Sequence, residues 1–243
     1  MRAVVETWRG GRSILRWVLT APLTTYRAGR HAKDKAEARS IIINSFERLR
    51  KACGIKAVIH GTPPEPGVGC VVCYNETSFA DVFVFPSAVL QHVDRAAAAD
   101  AYALIPFARR ACEMAGIELV QRGRRVETDG LMTTIVEALK NGERIAWGGE
   151  GRLSGRDEVK RFKRGAGLIA IRAGVPIIPV AFYGGHQRLP LGSLRVRPGT
   201  VHVQYGEPID TSNFTEENIR DLADHTQAVV AKMYADLKKA ACE

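Results

Sequence analysis

From residue 55 onward, short runs of β-branched and other apolar residues alternate with stretches of helical periodicity. Strands are expected at residues 55–60, 68–74, 117–121, 145–147 and 175–183, and on both sides of the turn at 197–199. Alternation of this kind is typical of a parallel or mixed sheet that is covered by helices. The sequence therefore predicts a single α/β domain, a mixed sheet flanked by helices.

Helices are predicted between the strands from apolar spacing and end signals. Ile42, Phe46, Leu49 and Cys53 recur at steps of four, three and four, ahead of a terminating glycine. The later expectations are a helix-rich apolar stretch over 82–108, a helix capped by Thr128, a helix over 163–173 and a closing helix over 215–239.

The first thirty residues differ in amino-acid composition from the rest of the chain. They carry six arginines against one acid, interleaved with tryptophan and aliphatic residues. Arginine and large apolar residues at near-helical spacing are typical of an amphipathic segment in a membrane interface. A helix packed on the domain would show the same pattern, and we expect breaks at Gly10–Gly11 and Pro22. Residues 1–50 are assigned to an N-terminal amphipathic, membrane-docking segment and residues 51–243 to the α/β domain.

The net charge of +9 indicates an acidic partner: nucleic acid, an anionic membrane surface or a phosphorylated small molecule. Nucleic acid is not expected, because no helix-turn-helix, zinc-finger or aromatic-platform pattern is present. No apolar run approaches the roughly 18 residues of a membrane-spanning helix, and no secretion signal is recognised.

The five cysteines are irregularly spaced, which favours a reducing compartment over a disulfide framework. Cys70 and Cys73 lie three apart on a predicted strand, so their side chains point to opposite faces and cannot share a metal ion. No metal site is expected.

Polar residues follow two of the predicted strands. Residues 75–81 come directly after the strand at 68–74, where ligands of α/β sheets bind. Ser78 and Asp81 also have the spacing of a helix capping box, so both interpretations stay open.

After the strand at 145–147, glycines lead to Glu150, Gly151 and Arg152, with further basic residues at 160–164. Glycine allows close backbone approach and arginine binds phosphate in a bidentate fashion, so we expect an anion site that Arg122 could join. A solvated basic surface is the alternative.

These segments, in this order, resemble the phospholipid/glycerol acyltransferase family, the PlsC-like 1-acyl-glycerol-3-phosphate acyltransferases. The family's first block, Asn-His-(four residues)-Asp, is similar to residues 75–81 at both ends. Its further blocks resemble residues 116–122, residues 149–152 followed by 162–165, and the Val-Pro-(two residues)-Pro-Val of 175–180. The glycine, glutamate and proline at 206–208 are similar too, and the likeness covers about residues 55–210.

The resemblance implies that a histidine base, oriented by the aspartate, activates a lysolipid hydroxyl for direct attack on an acyl thioester. Carried over, Asp81 is the second catalytic residue, while Asn75, Arg122, Glu150, Gly151 and Arg152 bind the substrate. The family's histidine is Glu76 here, and a carboxylate has no N–H to donate to Asp81. A Glu76 base needs a raised pKa, which the charge of Asp81 could provide. The alternatives are a substitute histidine, His60 or His92, or a site that has lost acyl transfer.

The resemblance thus implies acyl transfer from acyl-CoA or acyl-carrier-protein to the hydroxyl of a lysophospholipid, in phospholipid biosynthesis. The protein would act as a peripheral enzyme at the cytoplasmic face of a membrane, with the thioester as substrate and no cofactor. The apolar stretch at 82–108 could shape an acyl tunnel. One alternative is O-acylation of a lyso-aminolipid such as lyso-ornithine lipid. Another is a non-catalytic lipid- or acyl-carrier-binding protein on a degenerate acyltransferase scaffold.

Overall fold

A seven-stranded sheet with helices on both faces is the framework of the computed structural model, which describes residues 2–120, 125–193 and 195–241. The helices are α1 (Arg2–Arg30), α2 (Lys35–Ala52), α3 (Phe79–Ala88), α4 (Ala108–Ala115), α5 (Arg125–Lys140), α6 (Gly165–Ala173), α7 (Gly185–Arg188) and α8 (Ile219–Ala240). The strands are β1 (Ile55–His60), β2 (Cys70–Tyr74), β3 (Arg95–Ala99), β4 (Ile117–Val120), β5 (Arg144–Gly148), β6 (Ile177–Tyr183) and β7 (Gly199–Tyr205). The predicted α/β class with a mixed sheet is confirmed.

The strand order is β1-β7-β6-β2-β5-β3-β4. Neighbouring strands are parallel except β6 and β7, which are antiparallel. Five strands therefore end at one edge of the sheet, which we call the carboxyl edge (the ends of β6, β2, β5, β3 and β4). Strands β1 and β7 run the other way and end toward the opposite edge.

Strand β2 lies in the middle of the sheet and separates two cores. Cys70 packs with α2 and α3 on one face, whereas Cys73 packs with α5, α6 and α8 on the other. The prediction that these two cysteines face opposite sides is confirmed. Both are free thiols, and burial raises the pKa of Cys70 to about 11, so at neutral pH it is a protonated apolar group.

Helix α1 is continuous over 29 residues, so the expected breaks at Gly10–Gly11 and Pro22 are wrong. At Gly10 a Cβ atom would collide with the side chain of Val196, so the glycine permits close packing there. Trp17 further fixes α1 on α2 by packing against Phe46 in a tilted arrangement, with ring centroids 4.8 Å apart. Packing along the helix outweighs the local cost of glycine and proline. Among the described residues, no helix has the length and apolar character needed to span a bilayer.

Three further local expectations are wrong. Residues 95–99 of the expected helical stretch form β3. Alanine has a low propensity for strands, and pairing with β4 and β5 holds this segment extended. Thr128 lies inside α5 rather than at its cap, and residues 195–198 form no strand. The predicted boundary between residues 50 and 51 falls within the last turn of α2 and stays a prediction.

The half-buried guanidinium of Arg39 ties α2 to the segments that flank β3. It donates to the carbonyl of Ala115 at 2.7 Å and to that of Leu90 at 3.1 Å, and also to the carbonyls of Val93 and Asp94. One side chain thus satisfies four backbone acceptors.

Replacing Arg39 with alanine should lower the free energy of unfolding by about 3 kcal/mol, because four carbonyls lose a charged donor. Urea denaturation measures this change. Arg48→Ala on the same helix, at an exposed position, is the matched control and should change the free energy by less than about 0.5 kcal/mol. Equal effects of the two substitutions would show that the Arg39 contacts do not stabilise the fold.

Candidate active site

The carboxyl edge brings the two polar segments together. Tyr74, the last residue of β2, lies beside Gly148 at the end of β5 and beside Val180 of β6. Because these strands are parallel neighbours, residues 75–81 and 149–152 leave the sheet side by side. The sequence predicted both segments as functional, and the topology makes them one site.

Asn75 is fully buried and is held by strand β6. Its Nδ2 donates to the Phe182 carbonyl at 3.0 Å, and its Oδ1 accepts from the Phe182 N–H at 2.8 Å. Both ends of the amide are therefore used to lock the start of the loop against the sheet. This geometry makes Asn75 a positioning residue, and its predicted contact with substrate stays a prediction.

Glu76 is half-buried and faces the cavity. Its backbone N–H donates to Oε1 of Glu150 at 3.2 Å, and its carbonyl accepts from the Ser154 N–H at 2.7 Å. The carboxylate lies against Gly148, where a Cβ atom would collide with it. The glycine that ends β5 thus makes room for the side chain at the position of the predicted base.

Asp81 forms the capping box of α3 with Ser78. Its Oδ2 accepts from the Thr77 hydroxyl at 2.6 Å, the Thr77 N–H at 3.0 Å and the Ser78 N–H at 2.9 Å. Burial raises the pKa of Asp81 to about 6, against the lowering effect of these donors. The structure thus confirms the capping alternative, and the capping hydrogen bonds also hold the turn that carries Glu76.

Glu150 is buried beneath this turn, with 4% of its surface exposed. Burial, aided by the charges of Glu76 and Asp81, raises its pKa to about 7. Its Oε2 has no hydrogen-bond partner within the part of the chain that the structure describes. Glu76 and Asp81 line the cavity, whereas Glu150 lies directly behind the backbone of Glu76 and titrates near neutral pH.

Positive charge lies at the mouth of the site. Arg152 and Lys163 are exposed and line the cavity, and neither is ion-paired with an acid in residues 2–120, 125–193 or 195–241. Gly151, with φ of 72°, supplies the left-handed turn between Glu150 and Arg152. Arg122, the other predicted anion ligand, lies outside the described residues.

The loop that carries these groups is fixed from two sides. Toward the site, the Gly155 N–H donates to the Thr77 carbonyl at 3.1 Å. Away from it, Asp157 accepts from Gln187 Nε2 at 2.8 Å, Tyr234 OH at 2.5 Å and Lys238 Nζ at 2.8 Å. Asp157 therefore anchors the loop to α7 and α8.

A cavity of about 880 Å³ extends from Glu76 and Asp81 into the protein. Its far wall is largely the alanine run of β3, and Val82, Phe85 and Ile117 add apolar side chains. Alanine leaves space that larger side chains would fill, so the same residues that obscured β3 in the sequence create the cavity. Its polar end and deep apolar body suit an amphipathic ligand.

The two histidines that the sequence offered as substitute bases lie elsewhere. His60 ends β1, which runs opposite to β2, and stacks on His202 at the far edge. His92 precedes β3 and packs on Tyr205, also away from the carboxyl edge. His186 was not singled out from the sequence; it follows Gly185, the residue packed against Asp81. Its position just after the strand at 175–183 was the available signal.

The similarity to known proteins covers the segments that form this site. The model of the Acyltransferase family matches residues 56–183. The 1-acyl-sn-glycerol-3-phosphate acyltransferase of Escherichia coli (strain K12) is 32% identical over 140 residues, covering 57% of this chain and 56% of that protein. The protein of the same name from Haemophilus influenzae is 42% identical over 76 residues, 31% of each chain. The matches thus span about half the length of the first relative and less of the second.

Among solved structures, the 1-acyl-sn-glycerophosphate (LPA) acyltransferase PlsC from Thermotoga maritima has the same fold. The TM-score is 0.72 at 22% sequence identity, covering 98% of this chain and 96% of that one.

The buried Glu150 should make stability depend on pH. Its folded pKa of about 7 lies above the unfolded value of 4.5, so its contribution is fully present below pH 4.5 and is lost as pH rises through 7. Relative to Glu150→Gln, the wild-type free energy of unfolding should fall by about 2 kcal/mol between pH 5 and pH 8. Urea denaturation at both pH values measures this. If the free energies of unfolding of the wild type and Glu150→Gln changed equally between the two pH values, the Glu150 carboxyl would be solvated in the folded protein.

Removing the Asp157 anchor should loosen the loop at the site. In Asp157→Ala, the Ser154 and Gly155 amides, which bond to the carbonyls of Glu76 and Thr77, should exchange with solvent about tenfold faster. Hydrogen–deuterium exchange measures this, with Glu158→Gln at the next, more exposed position as control. Unchanged protection in Asp157→Ala would mean that the contacts at the site hold the loop unaided.

Proposed function

This chain belongs to the acyltransferase family, and from that premise we propose that it transfers a fatty acyl group from acyl-CoA or acyl-carrier-protein to the hydroxyl of a lysophospholipid. The observation that carries the proposal is the position of Glu76. It faces the cavity at the turn that matches the family's first block, directly beside the segment that contains Glu150 and Arg152. The acyl donor is a substrate rather than a resident cofactor.

In the proposed reaction, Glu76 accepts the proton of the acceptor hydroxyl while the hydroxyl oxygen attacks the thioester carbonyl. The new C–O bond forms, the C–S bond breaks and the departing thiolate takes up a proton. A glutamate performs this step without the imidazole N–H of the usual dyad, so Asp81 need not orient it directly. Asp81 instead acts through Thr77 and Ser78, the residues that follow Glu76 in the turn.

Arg152 and Lys163 are the proposed partners of the acceptor's phosphate. Both lie at the cavity mouth, and neither is neutralised by an acid in the described ranges. Guanidinium and ammonium groups at one rim suit a doubly charged head group. Arg122 is proposed to join them, as the family resemblance implies.

The acyl chain is proposed to occupy the apolar body of the cavity. About 880 Å³ lies behind the carboxyl groups, lined by the β3 alanines and by α3. The reacting carbonyl would then lie beside Glu76 while the hydrocarbon is removed from water.

A peripheral position at the cytoplasmic face of a membrane completes the proposal. On α1, Trp8 and Leu19 expose 75% and 73% of their surfaces, and Arg12 and Arg16 are exposed on the same helix. Exposed aromatic and aliphatic side chains with interspersed arginine are typical of interfacial helices.

The test is acyl transfer from labelled acyl-CoA and acyl-carrier-protein to a panel containing lysophosphatidate, other lysophospholipids and lyso-ornithine lipid. The wild type should acylate a phosphate-bearing acceptor. Glu76→Gln should reduce kcat at least 100-fold, because the amide cannot accept the proton. Glu158→Gln, an exposed carboxylate in the neighbouring loop, is the control and should retain full activity.

The other outcomes separate the alternatives. Acylation of lyso-ornithine lipid alone would change the acceptor and keep the chemistry. Full activity in Glu76→Gln would remove Glu76 as base, and loss of activity in His186→Gln would then point to His186. Binding of lipid without turnover of any pair would support a non-catalytic scaffold.

A further inference from the structure

Two of the most exposed large apolar side chains lie outside α1, in the segment that joins β3 to α4. Leu104 exposes 87% of its surface and Phe107 exposes 55%. Phe107 also has φ of 65°, a left-handed conformation that is costly for a bulky residue. The fold thus keeps a strained aromatic side chain exposed to solvent. This exposure indicates that the segment contacts a binding partner.

This segment is continuous with the exposed face of α1. The Tyr26 ring contacts Phe107 edge-on at 5.2 Å, and the Thr25 hydroxyl donates to the Pro106 carbonyl at 2.6 Å. Exposed apolar residues then continue along α1 at helical spacing. We call the combined surface the docking face, formed by Trp8, Leu15, Leu19, Leu23, Tyr26, Leu104 and Phe107.

The charges beside the docking face indicate what covers it. Arg109 and Arg110, the latter paired with Glu113, are exposed near the start of α4, and Arg12, Arg16, Arg27 and Arg30 are exposed on α1. Apolar side chains flanked by arginines match an anionic bilayer, with apolar groups below the head groups and guanidinium groups among them. A second copy of this chain would oppose arginine to arginine, which disfavours self-association.

The docking face also lies directly over the cavity. Ala21 and Thr25 of α1 line the cavity, as do Tyr102, Ile105 and Ala108 of the segment after β3. The two elements that carry the exposed apolar residues therefore form the adjacent cavity wall, which would place that wall at the level of lipid acyl chains.

We propose that the segment from Leu104 to Phe107 inserts into an anionic bilayer as a second anchor beside α1. The role of this anchor in catalysis rests on the proposed function, whereas insertion itself does not. A second anchor restricts the tilt of the protein on the membrane further than α1 does alone. The cavity then opens toward the hydrocarbon rather than toward water.

Binding to phosphatidylcholine vesicles with and without phosphatidylglycerol tests the proposal. Leu104→Ser/Phe107→Ser should weaken binding to the anionic vesicles by about tenfold or more, since two large apolar side chains no longer leave water. Val68→Ser is the matched control, because Val68 is 59% exposed but precedes β2, at the edge of the sheet opposite the carboxyl edge. This variant should bind the vesicles as tightly as the wild type does. Both variants alter exposed residues, and their thermal unfolding should match that of the wild type.

Activity separates the anchor from the catalytic site. Leu104→Ser/Phe107→Ser should lose acyl transfer to lysolipid in vesicles by about tenfold, and should keep its rate on a short-chain acceptor and donor below their micellar concentrations. If no acyl transfer is found with any protein, the proposed function fails while the vesicle comparison still decides the anchor.

Two results would overturn the proposal. One is vesicle binding that Leu19→Ser/Leu23→Ser on α1 weakens while Leu104→Ser/Phe107→Ser does not. The other is a wild-type dimer, seen by sedimentation velocity without vesicles, that Leu104→Ser/Phe107→Ser dissociates.

Discussion

The hydrogen bond from the Glu76 N–H to the buried carboxyl of Glu150 joins the two halves of the candidate site. It forms because β2 and β5 are parallel neighbours, and because Gly148 leaves space for the Glu76 side chain. The other site features follow from this junction. Asp81 holds the turn from one side, Asp157 holds the loop from the other, and Arg152 is presented at the cavity mouth.

Three neighbouring carboxyl groups, two of which line the cavity, are an unusual concentration of acid in a chain of net charge +9. Burial raises the pKa values of Asp81 and Glu150 toward neutrality, which limits how many of the three are ionised together. Arg152 and Lys163 keep the rim positive. The result is a site that can hold a proton and attract an anion within the same cavity, as proposed for acyl transfer to a phosphate-bearing acceptor.

Much of the site was predictable because the strands, and the polar segments that follow them, have local signals in the sequence. Ile55–His60 was predicted with the bounds that the structure has, and the polar segments after β2 and β5 were located from glycines and charge. Strand β3 was missed because alanine carries little β-type signal, and only its neighbours hold it extended. The close packing of α1 at Gly10 likewise involves Val196, far away in sequence. The sequence predicted that Asn75 binds the substrate. Only the fold reveals that both ends of its side-chain amide are hydrogen-bonded to the backbone of Phe182.

The central claim is that residue 76 supplies the base. The most direct measurement is the pH dependence of kcat/KM for acyl transfer by the wild type and by Glu76→His, which restores the side chain of the family pattern. We predict two active enzymes whose acid limbs lie at different pH, because a different group loses the proton in each. Superimposable profiles would contradict the account, since the titrating base would then be a residue common to both proteins.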